Sequence, residues 1–118
     1  MSIPNTLSIL VHAVENKTQI WEDALEQGNA IKANRIAEEI KDILNEIRNN
    51  DMEGQDALLL MTKHRNKGMR YWSAMYLLRS NPEESLATLT DLEKNKGVVS
   101  MFAYTALYLF KSGEIEMP

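Results

Sequence analysis

The sequence predicts an all-α fold of about six helices in antiparallel pairs, stacked as a right-handed, α-solenoid-like array. Three observations predict it. Only 3 prolines and 5 glycines interrupt the 118 residues, all near expected element ends, leaving long stretches rich in Leu, Ala, Glu, Lys and Ile. Those are residues that lose little on entering a helix. Apolar residues also recur at spacings of three and four, the helical period. Finally, the chain repeats itself: Gly68 to Ser80 aligns with Ser100 to Ser112 at a shift of 32 positions. Met69, Ala74, Tyr76, Leu77 and Ser80 return as Met101, Ala106, Tyr108, Leu109 and Ser112, while Trp72/Tyr104, Ser73/Thr105, Met75/Leu107, Leu78/Phe110 and Arg79/Lys111 exchange like for like. Asn66-Lys67-Gly68 and Asn95-Lys96-Gly97 each close a stretch that opens with Ala57 or Ala87. A period near 30 marks stacked helix pairs, because one pair cannot bury its apolar face alone.

The elements follow in order. Asn5 is placed to cap a first helix carrying Leu7, Val11, Val14, Trp21 and Leu25 on one face, which Gly28-Asn29 ends. Ala33, Ile36, Ala37, Ile40, Ile43, Leu44 and Ile47 form the cleanest amphipathic stripe, a second helix broken by Asn49-Asn50-Asp51. These two make an antiparallel hairpin. A third helix is expected from about Glu53 to His64 and a fourth from about Gly68 to Ser80. Asn81-Pro82-Glu83-Glu84 starts a fifth: Asn as cap, Pro at the first helical position, acids toward the positive end of the dipole. Leu86, Leu89 and Leu92 supply its inner face and Gly97 ends it. A sixth runs from about Val99 to Ser112 with Gly113 as C-terminal cap. Helices four and six are apolar almost all round, so each is central in the stack or offers surface to a partner. The organisation expected is one domain, 1–118, with an N-terminal hairpin over 1–50 and two repeated helix pairs over 53–80 and 82–113.

A chain of this length buries roughly two thirds of its unfolded surface on a single core. Cysteine is absent, which excludes disulfides, thiolate metal sites and cysteine nucleophiles. Met1-Ser2-Ile3-Pro4 has no basic leader region, and apolar runs fall far short of the ~20 residues of a membrane span. A soluble, cytoplasmic protein with no membrane association is the expectation. Net charge is −4, divided as −4 over residues 1–51, +3 over 52–80 and −3 over 81–118. An acidic chain is a poor nucleic-acid binder, since phosphate contacts supply most of that affinity, and it suits a basic protein better.

Met69-Arg70 leading into Ser73-Ala74 and Leu77-Leu78 is similar to the second helix of a HEAT-type repeat. The wider layout, with Arg70 to Trp72, Asn81 to Glu83, and Ala106 to Gly113 following a charged N-terminal hairpin, resembles a family of small bacterial helical proteins known as domain of unknown function 2019. The resemblance implies a HEAT-like, α-solenoid-like fold and no established activity. Relatives of this architecture occur as immunity proteins beside secreted bacterial toxins, which implies a toxin-neutralising role.

No zinc-protease helix motif, phosphate-loop or dinucleotide glycine pattern, or nucleophile elbow occurs in the sequence. No catalytic, cofactor-binding or metal-binding residue is therefore assigned, and the chain reads as non-enzymatic. His12 and Glu15 share a helix face, but without a second convergent group His12 reads as a partly exposed helix residue. Glu39, Asp42 and Glu46 share one face of helix two; they form either a solvated face or an acidic docking surface for a basic protein. The basic run Lys63-His64-Arg65-Asn66-Lys67, with Arg70 one turn on, reads mainly as neutralised within the fold by its acidic flanks. Trp72 and Tyr76, and their counterparts Tyr104 and Tyr108, either seal the seam between stacked pairs or line a concave recognition patch. The partner-binding candidates are thus Glu39, Asp42, Glu46, Arg70, Trp72, Tyr76, Tyr104 and Tyr108. They point to a protein-binding module, first of all a monomeric immunity protein that binds a basic toxin, and alternatively a scaffold that homodimerises through helices four and six.

Overall fold

A computed structural model describes residues 5–118 of the chain. The expectation about a leader region at Met1 to Pro4 lies outside the described residues. Six helices follow one another: α1 (Asn5–Glu26), α2 (Ala30–Arg48), α3 (Asp51–Met61), α4 (Lys67–Leu77), α5 (Pro82–Glu93) and α6 (Val98–Ser112). Among the described residues there is no strand, and no helix is long and apolar enough to cross a membrane. The fold is all-α, as the helical spacing of its apolar residues requires.

Helices pack in chain order. The α1–α2 hairpin has the most extensive contact, and α3, α4, α5 and α6 each pack on the next. In addition α1 reaches across to α4 and α6, so the stack is drawn into a globule of 35 × 29 × 23 Å. Its radius of gyration, 13.4 Å, is that of a compact domain of this length, for which about 13–14 Å is typical. Helix α4 touches every other helix, which explains why it has almost no wet face. Met69, Tyr71, Trp72, Ser73, Ala74, Tyr76 and Leu77 are all buried on it. Ser73 survives there because its hydroxyl donates to the Met69 carbonyl, 2.8 Å away, and leaves no donor stranded.

The repeated helices do not have equivalent surroundings. Ala74 and Ala106 are both buried, as are Tyr71 and Ala103. Yet Met69, Trp72 and Tyr76 are 0%, 7% and 4% exposed, whereas Met101, Tyr104 and Tyr108 are 68%, 58% and 61% exposed. The physical reason is position in the stack. The stripe on α4 faces α1 and α2: Trp72 meets Trp21 edge-on, with ring centroids 5.3 Å apart, and the Tyr76 hydroxyl donates to the Lys41 carbonyl at 3.3 Å. The same stripe on α6 has no described helix over it.

Helix ends follow local chemistry. Gly28 takes a left-handed φ of 73° behind α1, and the Asn29 side chain then caps α2 by accepting from the Lys32 amide at 3.1 Å. Asn66 caps α4 in the same way, through the Met69 amide. Gly113, at φ 78°, closes α6, and the Glu114 amide returns to the Leu109 carbonyl at 2.9 Å. Helices α3 and α4 end earlier than expected, at Met61 and Leu77. Asn81 does not cap α5 with its side chain; its amide oxygen accepts from Gln55 on α3 instead, tying α3 to the α4–α5 turn. Gly54 sits within α3, where a Cβ would lie 1.8 Å from the Ile47 carbonyl oxygen, so it is the point at which α3 crosses the end of α2.

Candidate functional site

A concave groove of about 560 Å³ lies between α2, α4 and α6. Its floor is aromatic and is supplied by three helices: Trp21 from α1, Tyr71, Trp72 and Tyr76 from α4, and Phe102 from α6. Trp21 and Tyr71 are nearly parallel, 11° between planes at 5.8 Å, and Phe102 tilts against Trp21 at 5.2 Å. Burial pushes the Tyr71 hydroxyl up to about 12, so at neutral pH it is a neutral phenol rather than a base. The Tyr76 hydroxyl is also pushed up, first by burial; Arg48 opposes the rise, and Asp42 and Glu38 add to it. The Trp72 indole N–H is buried without an acceptor among the described residues.

The walls are polar. Glu38, Lys41, Asp42 and Asn45 line the α2 side, and Glu116, Met117 and Pro118 the other end. Lys41 is paired to Glu38 at 3.3 Å, while Asp42 and Glu116 have no ion pair among the described residues. Beyond the rim the Arg48 guanidinium lies over the Tyr76 ring, 4.8 Å from its centroid, and donates to the Pro118 carbonyl at 2.7 Å. Arg79 donates to the Met117 carbonyl at 3.3 Å. The extended tail 114–118 is therefore pinned by two arginines through its backbone, with Ile115 and Met117 half-buried against the core.

The groove unites Asp42, Trp72 and Tyr76 among the expected partner-binding residues. Trp72 and Tyr76 are core residues that show the groove only an edge, so the seam reading holds for them and a broad aromatic patch does not. Tyr104 and Tyr108 stand apart on the outer face of α6. The acidic trio is divided. Asp42 lines the groove and Glu46 is exposed, while Glu39 accepts from Lys17 on α1 at 2.7 Å, a bond that holds its carboxyl below the usual range. Arg70 is tied to Asp91 of α5 at 3.3 Å, with its Nε buried and unpartnered.

The basic loop is spent largely on the fold, as its acidic flanks suggested. Lys63 pairs with Glu84 at 3.4 Å and His64 with Glu15 at 2.6 Å. The Asn66 amide donates to His64 Nδ1 at 3.0 Å, so Nε2 is the protonated nitrogen facing Glu15. His12 is exposed, and it is His64 rather than His12 that meets Glu15. Glu22, beside this loop, has its carboxyl pushed up, chiefly by burial and then by Glu26, with Lys67 opposing.

The fold and groove together define a small all-α helix-stack protein with an aromatic-floored cleft. It is similar to the crystal structure of the protein RPA1889 from Rhodopseudomonas palustris CGA009, with a TM-score of 0.82 over 100% of this chain and 99% of that one, at 22% sequence identity. At that identity the likeness speaks to the fold alone. No family model matches the chain, and no curated protein matches it.

Proposed function

We propose that the chain is a non-enzymatic, cytoplasmic protein-binding module that receives a segment of a partner protein in the groove between α2, α4 and α6. The observation that carries the reading is the groove itself: 560 Å³ of concave surface with an aromatic floor and a polar rim, the composition that distinguishes recognition clefts from ordinary surface. The tail supports it, because Met117 and Pro118 show that extended chain can lie along this wall with its carbonyls held by arginines. Selection of peptides from a random display library tests it. Binders are expected to lose at least about tenfold in affinity on Asn34→Trp, which fills the groove from an exposed α2 position. Binders indifferent to that change refute the reading.

Within it we place the finer roles. Membership of the domain of unknown function 2019 family rests on the motifs quoted above, and neutralisation of a basic bacterial toxin on that resemblance together with the net charge of −4. A second reading is favoured by one observation, the stripe of Met101, Tyr104 and Tyr108 on α6: these side chains leave on the order of 400 Å² uncovered, which suits pairing with a second copy. Sedimentation mass discriminates. A monomer whose mass is unchanged by Tyr104→Glu with Tyr108→Glu supports the groove reading, and a dimer that those changes dissolve supports the second.

A further inference from the structure

We infer that the tail 114–118 is a resident occupant of the docking trough, and that the partner segment displacing it has the tail's own chemistry: extended chain with apolar side chains two residues apart. This rests on the groove being the docking site, and adds what fills it and what stands in the way. Two clefts meet at the tail. One is the 560 Å³ groove, walled by Glu116, Met117 and Pro118; the other, about 350 Å³ between α4 and α6, is walled by Glu114, Ile115 and Glu116. Both are floored by Tyr71, Met75 and Phe102. The tail thus runs along a single trough and divides it, and its departure joins the two parts. Phe102, 37% exposed, and half-buried Met75 are the apolar surface that an incoming side chain meets on the shared floor.

The tail shows how such a segment is held. Ile115 and Met117 are half-buried against the core while Glu114 and Glu116 stay exposed, the alternation of an extended strand laid on an apolar surface. The Met117 carbonyl accepts from Arg79 at 3.3 Å and the Pro118 carbonyl from Arg48 at 2.7 Å. Every sequence offers carbonyls, so the two arginines hold extended chain of any composition and the inward side chains select, the division of labour of peptide-binding grooves. The hold is light. The amides of 115–117 donate no hydrogen bond among the described residues, Arg79 is exposed, and Gly113, at φ 78°, gives the tail a glycine at its root. A tethered segment keeps its place largely through effective concentration, so a free segment that fills the floor better displaces it.

The tail supplies its own probe. Acetyl-Glu-Ile-Glu-Met-Pro-amide is titrated into the nitrogen-15-labelled full chain and into the full chain carrying Ile115→Asp with Met117→Asp, which place charge where the tail's side chains meet the core. In that variant the amides of 115–117 should move to random-coil shifts while those of α4 and α6 keep helical ones. The peptide should then give saturable shifts at the Phe102 amide and the Arg48 guanidinium N–H. Its affinity should be at least about tenfold tighter than on the parent chain, where the tail competes. Acetyl-Glu-Ala-Glu-Ala-Pro-amide should bind the variant at least about fivefold more weakly. Native shifts at 115–117 in the variant, equal affinity for the two chains, or no saturable shift on the variant each overturn the inference. Equal binding of the alanine peptide overturns the stated partner chemistry. Library-selected binders give a second measurement on the parent chain. Binders sensitive to Asn34→Trp that leave the amides of 115–117 unmoved overturn the tail's role and keep the groove a docking site, whereas binders insensitive to that change remove the groove reading itself.

Discussion

Trp72 and Tyr104 occupy the same place in the sequence repeat and opposite places in the fold, so alanine at each measures what the surroundings contribute. Trp72 is 7% exposed, lies edge-on to Trp21 at 5.3 Å and to Tyr71 at 5.6 Å, and sits on the helix that touches all the others. Truncating a buried aromatic of this size costs about 3–5 kcal/mol. Removing the acceptorless indole N–H returns on the order of 1 kcal/mol, leaving a net loss of about 3 kcal/mol. For a domain of this length that is a fall in Tm of roughly 10–15 °C. Tyr104, 58% exposed, should cost no more than about 0.5 kcal/mol. Trp72→Phe, which keeps a ring and deletes the orphan donor, should stay within about 1 kcal/mol of the parent. Urea titrations followed by far-ultraviolet circular dichroism give all three values. Equal losses at Trp72 and Tyr104 would refute the argument that stack position decides their roles.

Three further outcomes follow from particular contacts. Glu22 is held above its ordinary 4.5, so the folded chain binds that proton more tightly than the unfolded one; the stability this group contributes is fully present below about 4.5 and is lost as pH rises through the folded value. Glu22→Gln should therefore gain on the order of a few tenths of a kcal/mol at pH 7, where solvent screening limits the effect, and nothing at pH 4, by urea melts at the two pH values. Gly54→Ala forces a Cβ into the Ile47 carbonyl and should destabilise the chain by at least about 2 kcal/mol, or prevent folding, measured by thermal melting against Gly113→Ala, whose Cβ meets nothing within 4 Å and which should cost only the roughly 1 kcal/mol of a left-handed φ. Arg48→Ala removes both the ring contact to Tyr76 and the bond to Pro118, so amides of residues 115–117 should exchange with solvent at least about tenfold faster while those of α4 are unchanged.

Much of the fold is legible in the sequence because it is local. The isoleucine stripe of α2, Pro82 in the first turn of α5 and the Gly113 cap of α6 each act within one or two turns, and each stands where its chemistry places it. The candidate site is less legible, since it depends on which helix covers which. Asp42, Trp72 and Tyr76 were recognisable by residue type, but only the crossing of α1 over α4 and α6 brings Trp21, Tyr71 and Phe102 together beneath them. Trp21 and Tyr71 announced themselves only as apolar positions on helices. The tail had no signal at all, because Glu114 to Pro118 has no periodicity and is held by backbone carbonyls, which any residue type provides. Gly54 shows the same limit: a glycine near a helix start reads as a boundary, and only the approach of Ile47 reveals it as a crossing point.

Amide and indole shift mapping with a peptide selected for binding tests the central claim most directly. The account predicts perturbations confined to one face, at Asp42, Trp72, Phe102 and Met117. Perturbations centred instead on Tyr104 and Tyr108, or on the Lys63 to Lys67 loop, with the Trp72 indole unmoved, would contradict it.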